Sequence, residues 1–247
     1  MIAIPTLVIW IATLAVQIGV SLIMLQKRLF RDLPVFFAYT LFHVVRSVVL
    51  LVVRLRLSYA TYSYAYWGAE LISAVMGFAV IYEVFAKVLE PYAGLRRLGM
   101  ILLAWAAVVM VILGITAAWS PGASQSGMTS AVFTFERSIR IIQCGLMAFL
   151  FLFASTLSLS WRHYSFGIAL GFGIFATVEV IVVAVRAQLG PVANHTFMLL
   201  KPAAYLVATA IWAGYLLMPV AKPVRISGVA RHQLEQWNRT LLELLVR

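Results

Sequence analysis

Charge is what this chain has least of. Only 11% of its 247 residues are charged and 64% are hydrophobic, whereas a soluble domain carries about 25% charged residues. A soluble fold is therefore excluded. Roughly 20 apolar residues cross a bilayer, and seven such stretches use up nearly the whole length, leaving no room for a soluble catalytic domain. Cysteine is reduced to Cys144, so no intrachain disulfide can form and cysteine usage says nothing about compartment. The four histidines, His43, His163, His195 and His232, fall on separate segments without an HxxxH or ExxH pair, which argues against a metal or haem site. A GxSxG nucleophile elbow and a Walker-type glycine loop are also missing, so hydrolase and nucleotide-driven readings have no support. The expectation is a protein without cofactor and without enzymatic activity.

Acidic residues are scarce too, 8 against 19 Lys and Arg, for a formal charge of +11. In a soluble chain that balance would raise nucleic acid as a partner. In a membrane chain it is explained by basic cytoplasmic loops facing anionic headgroups, so the lipid bilayer is the expected partner and nucleic acid is not.

What is present reads as an all-α, polytopic integral membrane protein. Seven transmembrane helices fill residues 1–220, and 221–247 form a cytoplasmic tail with an amphipathic helix. The spans are placed at about 2–25, 35–53, 65–88, 98–118, 131–157, 165–189 and 196–219. The first lacks the charged start and short apolar core of a secretory signal, so it reads as a retained span. Pro34 suits the first turn of the second. Tyr59, Tyr62 and Tyr64 read as part of a loop before the third, an interfacial aromatic belt. The fourth carries no ionisable residue and reads as a lipid-facing buttress. In the tail, Leu234, Trp237, Leu241 and Leu244 recur near helical spacing with charges between them. That amphipathic helix would lie on the inner leaflet or pair with a cytoplasmic or membrane protein partner.

Within the spans, polar residues keep helical spacing. Tyr39, His43 and Arg46 share one face of the second span, and Glu70, Ser73 and Gly77 one face of the third. Glu83 and Lys87 read as an ordinary i, i+4 ion pair. The fifth sets Glu136, Arg140 and Gln143 on one face, with Arg137 adjacent. The sixth opens on Gly167 and Gly171, a GxxxG spacing that admits a close helix neighbour, and later carries Thr177, Glu179 and Arg186. The seventh has Lys201, Tyr205 and Trp212 on one side, with Pro202 and Pro219 near its ends.

With seven spans, one side of the membrane holds Arg54, Arg56 and Arg186. The other holds Lys27, Arg28, Arg31, Lys87, Arg96, Arg97, Arg162, Lys222, Arg225, Arg231, Arg239 and Arg247. The positive-inside rule then puts the amino terminus outside and the carboxyl terminus in the cytoplasm, in the plasma (cytoplasmic) membrane. At about 1.5 Å of rise per residue, Arg46, Glu70, Glu136, Arg140, Glu179 and Lys201 all fall in the outer half, on five spans. An ionised group at the bilayer centre costs roughly 2.5–3.5 kcal/mol on insertion scales, so these charges are expected to converge on an outward-facing, water-accessible pocket. With His43 and Tyr205 they are the candidate ligand-binding residues, for a small anionic or zwitterionic ligand. Arg46 and Arg140 are suited to a forked grip on its anionic group. A ligand-binding or sensory module is the leading expectation. A secondary transporter or proton-coupled carrier is one alternative, and a structural subunit of a larger membrane complex, its charges paired internally, is the other.

Overall fold

The computed structural model describes residues 4–90, 93–118, 144–145, 163–189, 194–218 and 236. Six long helices run through them: α1 (Ile4–Gln26), α2 (Pro34–Arg56), α3 (Tyr59–Val88), α4 (Ala93–Ala118), α5 (Tyr164–Leu189) and α6 (Asn194–Leu217), with a short 3-10 turn at Leu29–Arg31. Five windows are long and apolar enough to cross a membrane: Leu7–Gln26, Pro34–Arg56, Thr61–Val88, Tyr164–Val182 and Leu199–Leu217. The chain is thus a multi-pass helical membrane protein. The predicted span at 131–157, apart from Cys144 and Gly145, and the tail helix, apart from Gln236, lie outside the described residues.

Polarity is arranged inside out. Val8 and Ile11 on α1, Val45 and Val52 on α2, and Leu102 and Trp105 on α4 are exposed, whereas Gln17, Ser21, Thr40, His43, Glu70, Ser73 and Glu179 are buried. Water would not tolerate the first set at such density, and lipid would not tolerate the second on the outside. Inside, α1 packs on α2 and α6, α2 on α3, α3 on α4 and α5, and α5 on α6. Phe36, Tyr39, Phe172 and Trp212 meet in the middle of this arrangement.

The GxxxG pair brings α5 and α6 together. A Cβ on Gly167 would stand 2.1 Å from Tyr215 Cγ, and one on Gly171 2.2 Å from Trp212 Nε1. Two aromatic side chains of α6 therefore lie directly on the glycine backbone of α5. The Trp212 indole N–H donates to the Ile168 carbonyl at 3.1 Å, so the contact is both steric and polar.

Two expectations need correction. The tyrosines at 59, 62 and 64 belong to helix, not loop: α3 starts at Tyr59, because Ser58 caps it by accepting the Thr61 N–H at 3.3 Å. Only Leu57 and Ser58 join α2 to α3. Glu83 caps a neighbouring helix in place of the expected pairing with Lys87. Its two carboxylate oxygens accept the backbone N–H groups of Val35 and Phe36, each at 2.8 Å, at the amino-terminal end of α2, and Lys87 pairs with Glu90 at 3.2 Å. A carboxylate at a helix N-terminus satisfies orphan donors and meets the positive end of the dipole. Glu83→Ala should lower stability by about 1–2 kcal/mol, with Glu83→Gln in between. Faster amide exchange at Val35 and Phe36 is the check, and unchanged exchange would remove this role.

The same end of the bundle is closed by two further contacts. Lys27 Nζ reaches the Leu216 carbonyl at 2.6 Å and so places a cation on the carboxyl-terminal end of α6. His163 precedes α5, and its Nδ1 accepts the Ser165 N–H at 3.3 Å, which requires that nitrogen to be unprotonated. Burial, assisted by the nearby Lys87 ammonium, lowers the His163 pKa from its ordinary value. The folded state thus resists a proton that the unfolded chain accepts at about pH 6.5. This contribution is complete above that pH and is lost as pH falls toward the depressed folded value. His163→Asn, which keeps a capping acceptor without the titration, should flatten unfolding free energy against pH in that window. An unchanged slope would assign the titration elsewhere.

Candidate functional site

The stripe Tyr39, His43, Arg46 faces inward, and each member meets another helix. Tyr39 packs on Phe172 of α5 with ring centroids 5.3 Å apart. His43 Nε2 lies 2.9 Å from Ser73 Oγ of α3, and its ring lies 5.2 Å from that of Tyr205 on α6. The Arg46 guanidinium donates to Oε2 of Glu70 on α3 and stands 5.6 Å from the centroid of the Tyr66 ring.

From Glu70 the ionic chain continues. Its Oε1 accepts from Lys201 Nζ at 3.1 Å, and the same ammonium stands 2.9 Å from Glu179 Oε1. Arg46, Glu70, Lys201 and Glu179 therefore alternate in sign across α2, α3, α6 and α5. Measured along each helix from the end that holds Lys27 and Glu83, they sit at about 18, 27, 24 and 22 Å. Each charge has an opposite neighbour, the condition under which ions persist in a low-dielectric interior. The Arg46, Glu70 and Glu179 side chains are 13%, 7% and 8% exposed, but that of Lys201 is 38% exposed. Lys201 is the most exposed of the four.

Next to it the backbone is weakened. Pro202 lies inside α6, where it has no N–H for the carbonyl one turn earlier. The sequence places it near the helix end; α6 begins at Asn194 and carries it into the interior. One turn further, the Tyr205 hydroxyl accepts from Gln17 Nε2 of α1 at 2.6 Å, which ties α1 to the site.

Of the eight candidates read from the sequence, Arg46, Glu70, Glu179, Lys201, His43 and Tyr205 are brought together. Glu136 and Arg140 lie outside the described residues. Sequence reasoning missed Tyr66 and the joining of Gln17 to Tyr205. The available signal was that Tyr66 precedes Glu70 by one turn, and that Gln17 is one of the few polar groups inside the first span. No family model matches this chain, and no match appears among curated proteins or solved structures.

Proposed function

We propose that this protein is a ligand-binding or sensory module of the plasma membrane, whose site is the Lys201 bridge between Glu70 and Glu179 and whose ligand is a small anionic or zwitterionic molecule. The observation that carries the reading is the difference in access: the two carboxylates are buried, the Arg46 side chain is 13% exposed, and the ammonium joining the carboxylates is 38% exposed. An ammonium on a flexible stem with three donors can turn toward a ligand anion more readily than a clamped guanidinium.

We also propose seven crossings, with the site facing outward and the 221–247 tail in the cytoplasm. Helix parity supports this. Gly99 of α4 packs against Phe85 and Leu89 of α3, as antiparallel neighbours do, so α4 leads away from the end bearing Lys87. The next described helix, α5, starts again at that end, beside Lys87. The exposed Arg28, Arg31, Arg96 and Arg97 cluster toward the same end, which the positive-inside rule assigns to the cytoplasm.

Native mass spectrometry of protein extracted from membranes tests the reading. A small copurifying molecule is expected on the unsubstituted chain and absent from Lys201→Met. A spectrum of bare protein, with Lys201→Met changing stability alone, would leave a static packing network. A second reading, a secondary transporter, is favoured by Pro202, because carriers place helix interruptions beside their sites. Uptake of the copurified molecule into liposomes would select it, since a sensor moves nothing.

A further inference from the structure

We infer that the corner between α1 and α2 binds an anionic phospholipid, its phosphate gripped by Arg28 and Arg31 and one acyl chain laid along the outward face of α1. This site lies at the other end of the bundle from Lys201 and stands whether or not Lys201 meets a ligand. Arg28 precedes the 3-10 turn and Arg31 closes it, the Arg31 N–H donating to the Arg28 carbonyl at 3.2 Å. A period of three residues brings side chains so spaced to one side of the turn. Among the described residues other than glycine, Arg28 alone has a positive φ, 56°. Glycine or asparagine fills that conformation more cheaply, so what arginine supplies there is its charge.

Both arginines are exposed, and neither has a carboxylate partner among the described residues. The acidic groups at this end are engaged elsewhere: Glu83 with the Val35 and Phe36 N–H groups, Glu90 with Lys87, and Asp32 near Lys87 and His163. Two guanidiniums one turn apart repel each other. A phosphate between them, held by forked N–H pairs, turns that repulsion into attraction. The surface beside the pair marks the anion as a lipid. Ile18, Leu22 and Leu25 are 42%, 51% and 47% exposed and follow at spacings of four and three, which makes an apolar track down one face of α1. The membrane-crossing window of α1 ends at Gln26, so the track stops where Arg28 begins the headgroup level. A phospholipid matches both parts at once, whereas free phosphate uses the arginines alone.

Native mass spectrometry of the full chain, delipidated and then titrated with phosphatidylglycerol or phosphatidylcholine of identical acyl chains, tests this. Phosphatidylglycerol should bind about tenfold tighter, and inorganic phosphate should not displace it. The Arg28→Asn, Arg31→Gln double variant keeps a residue that tolerates the left-handed backbone, and it should erase the difference between the two lipids. The Arg96→Gln, Arg97→Gln double variant should retain it. Equal binding of both lipids by the unsubstituted chain, a preference that survives loss of Arg28 and Arg31, or displacement by inorganic phosphate would overturn the inference. Loss of the preference with Arg96 and Arg97 as well would assign it to overall charge and overturn the site.

Discussion

Replacing Glu70 with alanine is expected to lower stability by about 3–5 kcal/mol, the range for removing one partner of a buried ion pair. Its carboxylate, 7% exposed, serves both Arg46 and Lys201. Arg46 suffers more, because its side chain is 13% exposed and its guanidinium cannot shed the proton. Lys201 keeps Glu179 at 2.9 Å and is better solvated. The penalty therefore arises from the unpaired guanidinium, and the Arg46→Met, Glu70→Met double variant should recover most of it. Replacing both members of a buried pair with apolar groups is often neutral or stabilising. Equilibrium unfolding in mixed micelles of the two single variants and the double variant gives the coupling directly. A double variant as unstable as Glu70→Ala would place the penalty outside the pair. The double variant also separates structure from function: it should be folded yet bind ligand poorly, because Glu70 helps hold the Lys201 ammonium in place.

The second large effect lies where α5 meets α6. Gly171→Ala puts a methyl 2.2 Å from Trp212 Nε1 and 2.7 Å from Cδ1. No real carbon sits that close, so the indole or the helix must move. Overpacking of this kind costs about 1–3 kcal/mol, and displacement of the indole adds the loss of its hydrogen bond to the Ile168 carbonyl. Between helices in lipid there is little hydrophobic force to restore the contact. Gly171→Ala should thus fall at the upper end of that range. Trp212→Ala removes the clash along with the packing, so the two changes should be less than additive. Strict additivity would mean that the close approach is not what limits the glycine.

Much of this arrangement is legible from spacing alone. Four-and-three spacing puts Tyr39, His43 and Arg46 on one inward face, and the same rule pairs Glu70 with Ser73. What spacing cannot report is which helix lies opposite. Glu83 reads locally as a partner for Lys87, yet it satisfies two N–H groups about 48 residues away in sequence, at the start of α2. Those orphan donors are a property of the α2 terminus and leave no trace around Glu83 itself. Tyr66 has the composition of an interfacial ring and is drawn inward by the Arg46 guanidinium. Pro202 reads as lying near a helix end because hydropathy does not mark where a helix starts: α6 begins at Asn194, two residues before the apolar stretch.

Four lysines allow the most direct test of the site and its direction together. Lys27, Lys87 and Lys222 belong to the basic side of the membrane in the proposed topology, and Lys201 to the opposite half. Intact cells treated with a small membrane-impermeant acylating reagent, sulfo-N-hydroxysuccinimide acetate, should yield protein acetylated at Lys201 and unmodified at the other three, all of which react after permeabilisation. Acetylation of Lys27 or Lys87 in intact cells, or a Lys201 that reacts only once the membrane is opened, would contradict an outward-facing charged site.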